Sequence, residues 1–164
     1  MFTMIILISC DKNDVDGIDN VDVENYIALL KAGQNDSMEL PEFTYNDIPA
    51  LLMYRNEDQI ITDFPRNGIS SLYGPDCKLG MYVLWTIESI RAVAINSKYL
   101  IGRFPSLNPI LAFRDSQTLD LVDDDVSHHI AAKAYFDWWY SNSGKDFDAF
   151  KMVDPLINTD YRWH

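Results

Sequence analysis

Basic side chains are scarce in this chain. Its 13 Lys and Arg residues stand against 25 Asp and Glu, leaving a formal net charge of −12. That deficit excludes nucleic acid as a partner, because phosphates require a basic face. It equally excludes a polybasic patch of the kind that docks on anionic lipid. Cysteine is limited to Cys10 and Cys77, too few for a disulfide framework. No HExxH and no Cys/His ligand set occurs, so neither a metal nor a cofactor is expected. Gly-rich phosphate loops, a G-x-S-x-G elbow and a Cys/His nucleophile pair are missing as well, so no catalytic residue is assigned. Long apolar runs are also lacking. The stretch from Phe2 to Ile8 falls far short of the ~20 residues that a membrane-spanning helix needs.

What is there begins with that same stretch. Leu7-Ile8-Ser9-Cys10 closes it on a small residue and a Cys, and the chain then turns abruptly polar. The pattern resembles a bacterial lipoprotein signal peptide, which implies removal of residues 1–9, lipid on Cys10 and the membrane as a partner through that anchor. No Lys or Arg precedes the apolar core. This departure from the pattern points either to a start further upstream or to a segment that does not act as a signal. Residues 11–25 hold six acids and one Lys, a net charge of −5 over fifteen residues. Such a segment buries too little to offset its ordering entropy, so residues 10–21 are expected to be a flexible acidic tether. Acids directly after the Cys also look like the surface-export signals of Bacteroides-type lipoproteins, which implies an outer-membrane location. A calcium loop around Asp14, Asp16 and Gly17 fails, because placing Gly17 at loop position six puts Lys12 and Val23 at positions that need an oxygen ligand.

Residues 22–164 are expected to form one α-helical domain, with 48% apolar and 13% aromatic residues supplying a core. Apolar spacing predicts helices over 22–32, from a Thr44 or Asn46 cap through Tyr54, over 78–97 and over 124–142. The third is apolar nearly all the way round, as a central helix covered by its neighbours would be. Only Thr118–Val122 alternates like a strand. Ile60-Ile61-Thr62-Asp63-Phe64-Pro65 also aligns with Leu100-Ile101-Gly102-Arg103-Phe104-Pro105 at an offset of 40, a spacing typical of HEAT or armadillo helical pairs. The expected fold is therefore all-α, a compact irregular bundle or stacked helical pairs with little or no strand.

Few residues suggest chemistry. Asp123-Asp124-Asp125 with His128-His129 puts acids and imidazoles on shared helix faces, but two ligands fall short of a zinc site, and acids also suit a helix N-terminus. Cys77 reads as a small buried hydrophobe. Glu88 and Arg91 interrupt the most apolar helix. They either pair with each other or, joined by His128 or His129, form the site of a small envelope hydrolase. Trp138 and Trp139 point about 100° apart on a helix, so both cannot centre one core stripe. Aromatic residues of this kind pack a core, and one of the two either covers a neighbouring loop or lines an aromatic groove for a glycan or a peptide. The size and acidity fit an inhibitor or immunity protein equally well.

The segments DIPALLMYRN, DFPRNGISS, LGMYVLWTIESIRA and RFPSLNPIL resemble a small uncharacterised lipoprotein family of Bacteroides-type bacteria. The resemblance implies an envelope location and no established activity. The expected function is a lipid-anchored, non-enzymatic binding or scaffold module for a protein or glycan partner. Metabolic labelling with a fatty-acid analogue checks the anchor. Label and membrane fractionation are expected in the wild type and lost in Cys10→Ala, and labelling unchanged by the substitution would rule the anchor out.

Overall fold

The computed structural model describes residues 23–35, 37–72 and 74–164. The proposed signal peptide, Cys10 and the tether lie outside the described residues. Within them the chain forms four α-helices, two 3-10 turns and five short strands. This mixed α/β architecture corrects the all-α expectation. The helices are α1 (Val23–Ala32), α2 (Ile48–Leu52), α3 (Leu79–Ala94) and α4 (Asp125–Tyr140), and the strands are β1 (Ile60–Ile61), β2 (Cys77–Lys78), β3 (Leu111–Phe113), β4 (Leu121–Val122) and β5 (Tyr161–Trp163). No helix among the described residues is long and apolar enough to cross a membrane.

The helices lie close to where their sequence signals place them, because local caps set their ends. Thr44 accepts from the backbone N–H of Asn46, and its own N–H donates to Asp47, a capping box that starts the turn leading into α2. Asp124 caps α4 by accepting from the Ser127 N–H at 2.7 Å. Gly33 ends α1 with φ 63°, as only a residue tolerant of left-handed backbone can. Asn96 does the same for α3 at φ 50°, with the N–H groups of Asn96 and Ser97 donating to the carbonyls of Val93 and Ala92. That Schellman closure turns the chain sharply and delivers Ser97, Lys98 and Tyr99 beside the helix end.

The strands escaped the sequence reading because two or three residues show no period. β1 and β2 form an antiparallel pair with Ile60 opposite Lys78 and Ile61 opposite Cys77. A three-stranded antiparallel sheet has the order β4-β3-β5, with Leu111 opposite both Val122 and Trp163. Of these strands, only β4 falls inside the alternating segment Thr118–Val122.

Helix α3 is the centre. Every residue from Leu79 to Ala92 is buried, with Trp85, Tyr82, Leu79, Leu84 and Ile87 fully so. Each large apolar side chain so buried contributes about 1.5–3 kcal/mol, so α3 is stable only when covered on all sides. Helices α2 and α4 cover part of it. The two Phe-Pro segments cover more, and here the helical-pair repeat is also corrected, because neither copy is helical. The Phe64 ring lies 4.9 Å from Tyr82, and Phe104 stacks on Trp85 at 5.5 Å. The Tyr82 hydroxyl donates to the Pro65 carbonyl at 3.1 Å, and Trp85 Nε1 donates to Ser106 Oγ at 2.8 Å. Asn67 Nδ2 then donates to the Ser106 carbonyl at 3.1 Å, tying the two loops together. The internal similarity is thus two loops performing one covering task.

At its N-terminal end α3 meets α4 through Gly80. A Cβ there would lie 2.5 Å from His128 Nε2 and 2.6 Å from the Arg55 carbonyl, so the approach requires glycine. His128 is 1% exposed. Its Nε2 lies 2.8 Å from the Arg55 carbonyl, which can only accept, so Nε2 carries the proton. Bare Nδ1 is buried without a hydrogen-bond partner, 3.5 Å from Asp58. Desolvation holds the His128 pKa below its ordinary 6.5. The unfolded chain therefore takes up the proton first. The contribution is complete above about pH 6.5 and is lost as pH falls from there toward the lowered folded-state value. The urea midpoint is expected to fall between about pH 7.5 and pH 5.5, with a shallower slope in His128→Gln. His164, which burial also depresses, contributes to the remaining slope. An unchanged slope in His128→Gln would exclude the buried imidazole as its source.

Candidate functional site

Glu88 and Arg91 project from successive turns of α3 and meet side by side. Arg91 Nε donates to Glu88 Oε2 at 3.0 Å and Nη2 donates to Oε1 at 2.5 Å, the bidentate fork that guanidinium and carboxylate planes favour. They are 7% and 9% exposed. Two charges so placed are costly unless their remaining hydrogen-bonding capacity is filled. The Tyr135 hydroxyl of α4 donates to Glu88 Oε2 at 2.7 Å, Trp163 Nε1 of β5 donates to the Tyr135 oxygen at 2.8 Å, and Arg91 Nη1 donates to the Lys151 carbonyl at 3.2 Å. Burial and the Glu88 charge hold the Tyr135 phenol protonated far above its ordinary range, so it remains a donor. Burial disfavours the Arg91 charge, and the Glu88 hydrogen bond and charge more than offset that.

This network forms one wall of an open groove of about 710 Å³. The other walls are the Ser97–Tyr99 turn, the Pro105–Leu107 loop, Asp154 with Leu156, and the Arg162-Trp163-His164 end of β5. Tyr99 is 66% exposed there. His164 Nδ1 donates to the Asn108 side-chain oxygen at 3.0 Å, and its carbonyl accepts from the N–H of Leu107, so the end of β5 is fixed to the Leu107-Asn108 segment.

The structure separates residues that the enzyme alternative needs together. His128 is locked to Arg55, and His129 Nδ1 donates to the Asp125 carbonyl at 2.6 Å. Neither lines the groove, where the imidazole is that of His164. His128 lies seven residues before Tyr135 on α4, about 10 Å along the helix axis. Asp124 is occupied as the α4 cap, and Asp125 pairs with Lys78. Among the described residues no group of three or more His, Cys, Asp or Glu side chains is placed to hold a metal ion.

Trp138 is 6% exposed and packs edge-on against Phe150 at 5.3 Å, inside the aromatic cluster with Phe147. Trp139 is half-buried and lines a second, shallower groove, where Tyr45 stacks on Phe147 at 5.3 Å. Both tandem tryptophans border a surface groove, Trp138 one lined also by Lys133, Val153 and Pro155, and Trp139 the one beside Tyr45. Cys77 lines a third pocket of about 280 Å³. Desolvation, reinforced by the Asp123 and Asp76 charges, pushes its thiol well above the ordinary range, away from the reactive thiolate.

Sequence reasoning singled out Glu88 and Arg91 but missed Lys98, Tyr99, Arg162 and His164. Tyr99 carried a faint signal, an aromatic residue just beyond a helix end. Nothing in the chain announces that Arg162 and His164 return to α3.

The ion pair is open to direct testing. Glu88→Gln leaves Arg91 buried without its counter-charge and is expected to cost about 3–5 kcal/mol, measured by urea unfolding. Replacing both partners, Glu88→Gln with Arg91→Met, is expected to recover part of this. A single-variant loss below about 1 kcal/mol, the level of a surface pair, would show that the pair is not desolvated in solution.

Comparison with curated proteins and with solved structures returns no match. One family does match, over residues 17–164. The chain therefore belongs to the family described as Domain of unknown function (DUF4943).

Proposed function

We propose that this protein is a non-enzymatic binding module of the cell envelope, held by lipid on Cys10 at the outer membrane of a Bacteroides-type bacterium, with its ligand taken in the groove beside α3. The observation that carries the binding role is the groove's construction. Exposed Tyr99 and half-buried Trp163 stand over a wall whose polar groups already satisfy one another. Concave sites with a few fixed polar groups and aromatic walls are the usual form of a ligand pocket, and about 300–1,000 Å³ is their usual size. Glu88 accepts from Arg91 and from Tyr135, so it acts as a brace that holds the wall rigid. A preorganised wall lowers the ordering cost of binding. Anchorage rests on the Leu7-Ile8-Ser9-Cys10 pattern and its acidic successor, and it would set the groove facing envelope molecules.

A panel of oligosaccharides, peptides and amino acids titrated into the isotopically labelled full chain tests the binding role. A ligand is expected to shift the Trp163 indole N–H resonance. Tyr99→Ala is expected to weaken that ligand about tenfold, the scale of a lost aromatic anchor, without lowering the melting temperature. A ligand that binds Tyr99→Ala equally well and leaves the Trp163 signal in place would move the function away from this groove.

A further inference from the structure

The groove's charge runs against that of the protein around it. Lys98 and Arg162 both line it, on a chain of net charge −12. The other charged side chains of the groove, Glu88 with Arg91 and Asp154 with Arg114, are already matched. Among the described residues neither Lys98 nor Arg162 forms an ion pair. Arg162 donates Nη1 to the Trp163 carbonyl at 3.3 Å, and the Lys98 ammonium sits 4.8 Å from the centre of the Tyr99 ring. Two cations without an ion-pair partner, beside exposed Tyr99 and half-buried Trp163, suit an anion that also has an apolar face. At physiological salt the Debye length is about 8 Å, so acids elsewhere on the surface are screened while these cations act locally.

Of the protein and glycan partners that the binding role allows, an acidic peptide and an acidic sugar carry both features. The structure disfavours the peptide. An extended peptide gains affinity by adding to a sheet edge, and β5 is the edge that lines the groove. Its outward carbonyls are already taken. Tyr161 O accepts from Arg114 Nη2 at 2.8 Å, and Trp163 O accepts from Arg162. The Tyr161 N–H is likewise bound to Thr159 Oγ1 at 3.1 Å. A sugar needs no such edge. It presents C–H groups to aromatic faces and a carboxylate to cations, and the groove has room for a short chain.

We propose that the groove binds a short acidic oligosaccharide bearing uronic-acid carboxylates, with Lys98 and Arg162 donating to a carboxylate and with Tyr99 and Trp163 packing on the sugar rings. This assignment rests on the reading of the groove as the binding site. Calorimetric titration of the full chain with trigalacturonate, neutral galactotriose and a tri-glutamate peptide tests it. Trigalacturonate is expected to bind at least tenfold more tightly than either competitor. Lys98→Gln and Arg162→Gln are each expected to weaken it about tenfold, as loss of a charge-assisted hydrogen bond does. Lys98→Glu, a reversal on an exposed side chain, is expected to abolish binding while melting is unchanged. Galactotriose binding as tightly would overturn the acidic specificity, and preference for the peptide would overturn the sugar. In both cases the groove's binding role would stand. If none of the three binds while the wider panel still shifts the Trp163 resonance, the acidic-sugar assignment alone falls. If no compound shifts it, both readings fall.

Discussion

The carboxylate of Glu88 is the constraint around which the rest of the molecule is arranged. Set in the most buried helix of the chain, it is tolerable only if its oxygens are filled by donors, since an unpaired buried charge is among the costliest defects a fold can carry. One donor comes from its own helix through Arg91, and another from α4 through Tyr135. Tyr135 in turn accepts from Trp163 of β5, and Arg91 reaches the Lys151 carbonyl. Satisfying one carboxylate therefore fixes α4, the loop beyond it and the last strand relative to α3. The groove is the open side of the same arrangement.

Covering α3 is the second constraint, and it explains why the fold is mixed. A helix apolar on all sides needs partners all round, yet α1, α2 and α4 do not enclose it. Loops complete the cover. Phe64 and Phe104 lay rings against Tyr82 and Trp85, while Tyr82 and Trp85 bond the loop backbone or side chains in return. Loop backbone at a core needs hydrogen-bond partners. The paired strands and the Asn67–Ser106 link supply some of them.

These constraints divide the polar residues by role. The His128 imidazole, the Asp124 cap and the Lys78–Asp125 pair serve the junction of α3 and α4. Cys77 is held as a thiol at another wall. Lys98 and Arg162 form no ion pair among the described residues, and both line the groove beside α3.

The helices are legible in the chain alone, because each is written in short-range chemistry. The Thr44 box, the Asp124 cap and the left-handed Gly33 and Asn96 positions act within a few residues. The sequence also determined that α3 is central and that Glu88 and Arg91, three apart on one helix, can meet. The tertiary structure alone decided the sheet, because strands of two or three residues gain their stability from partners distant in the chain. It alone decided that two Phe-Pro loops, similar enough to suggest stacked helical pairs, lie together on α3. It also decided the groove, whose walls come from residues 88–107 and from residues 154–164. No local pattern encodes that meeting. It follows from a buried carboxylate that requires Tyr135, and from a Tyr135 oxygen that accepts from Trp163.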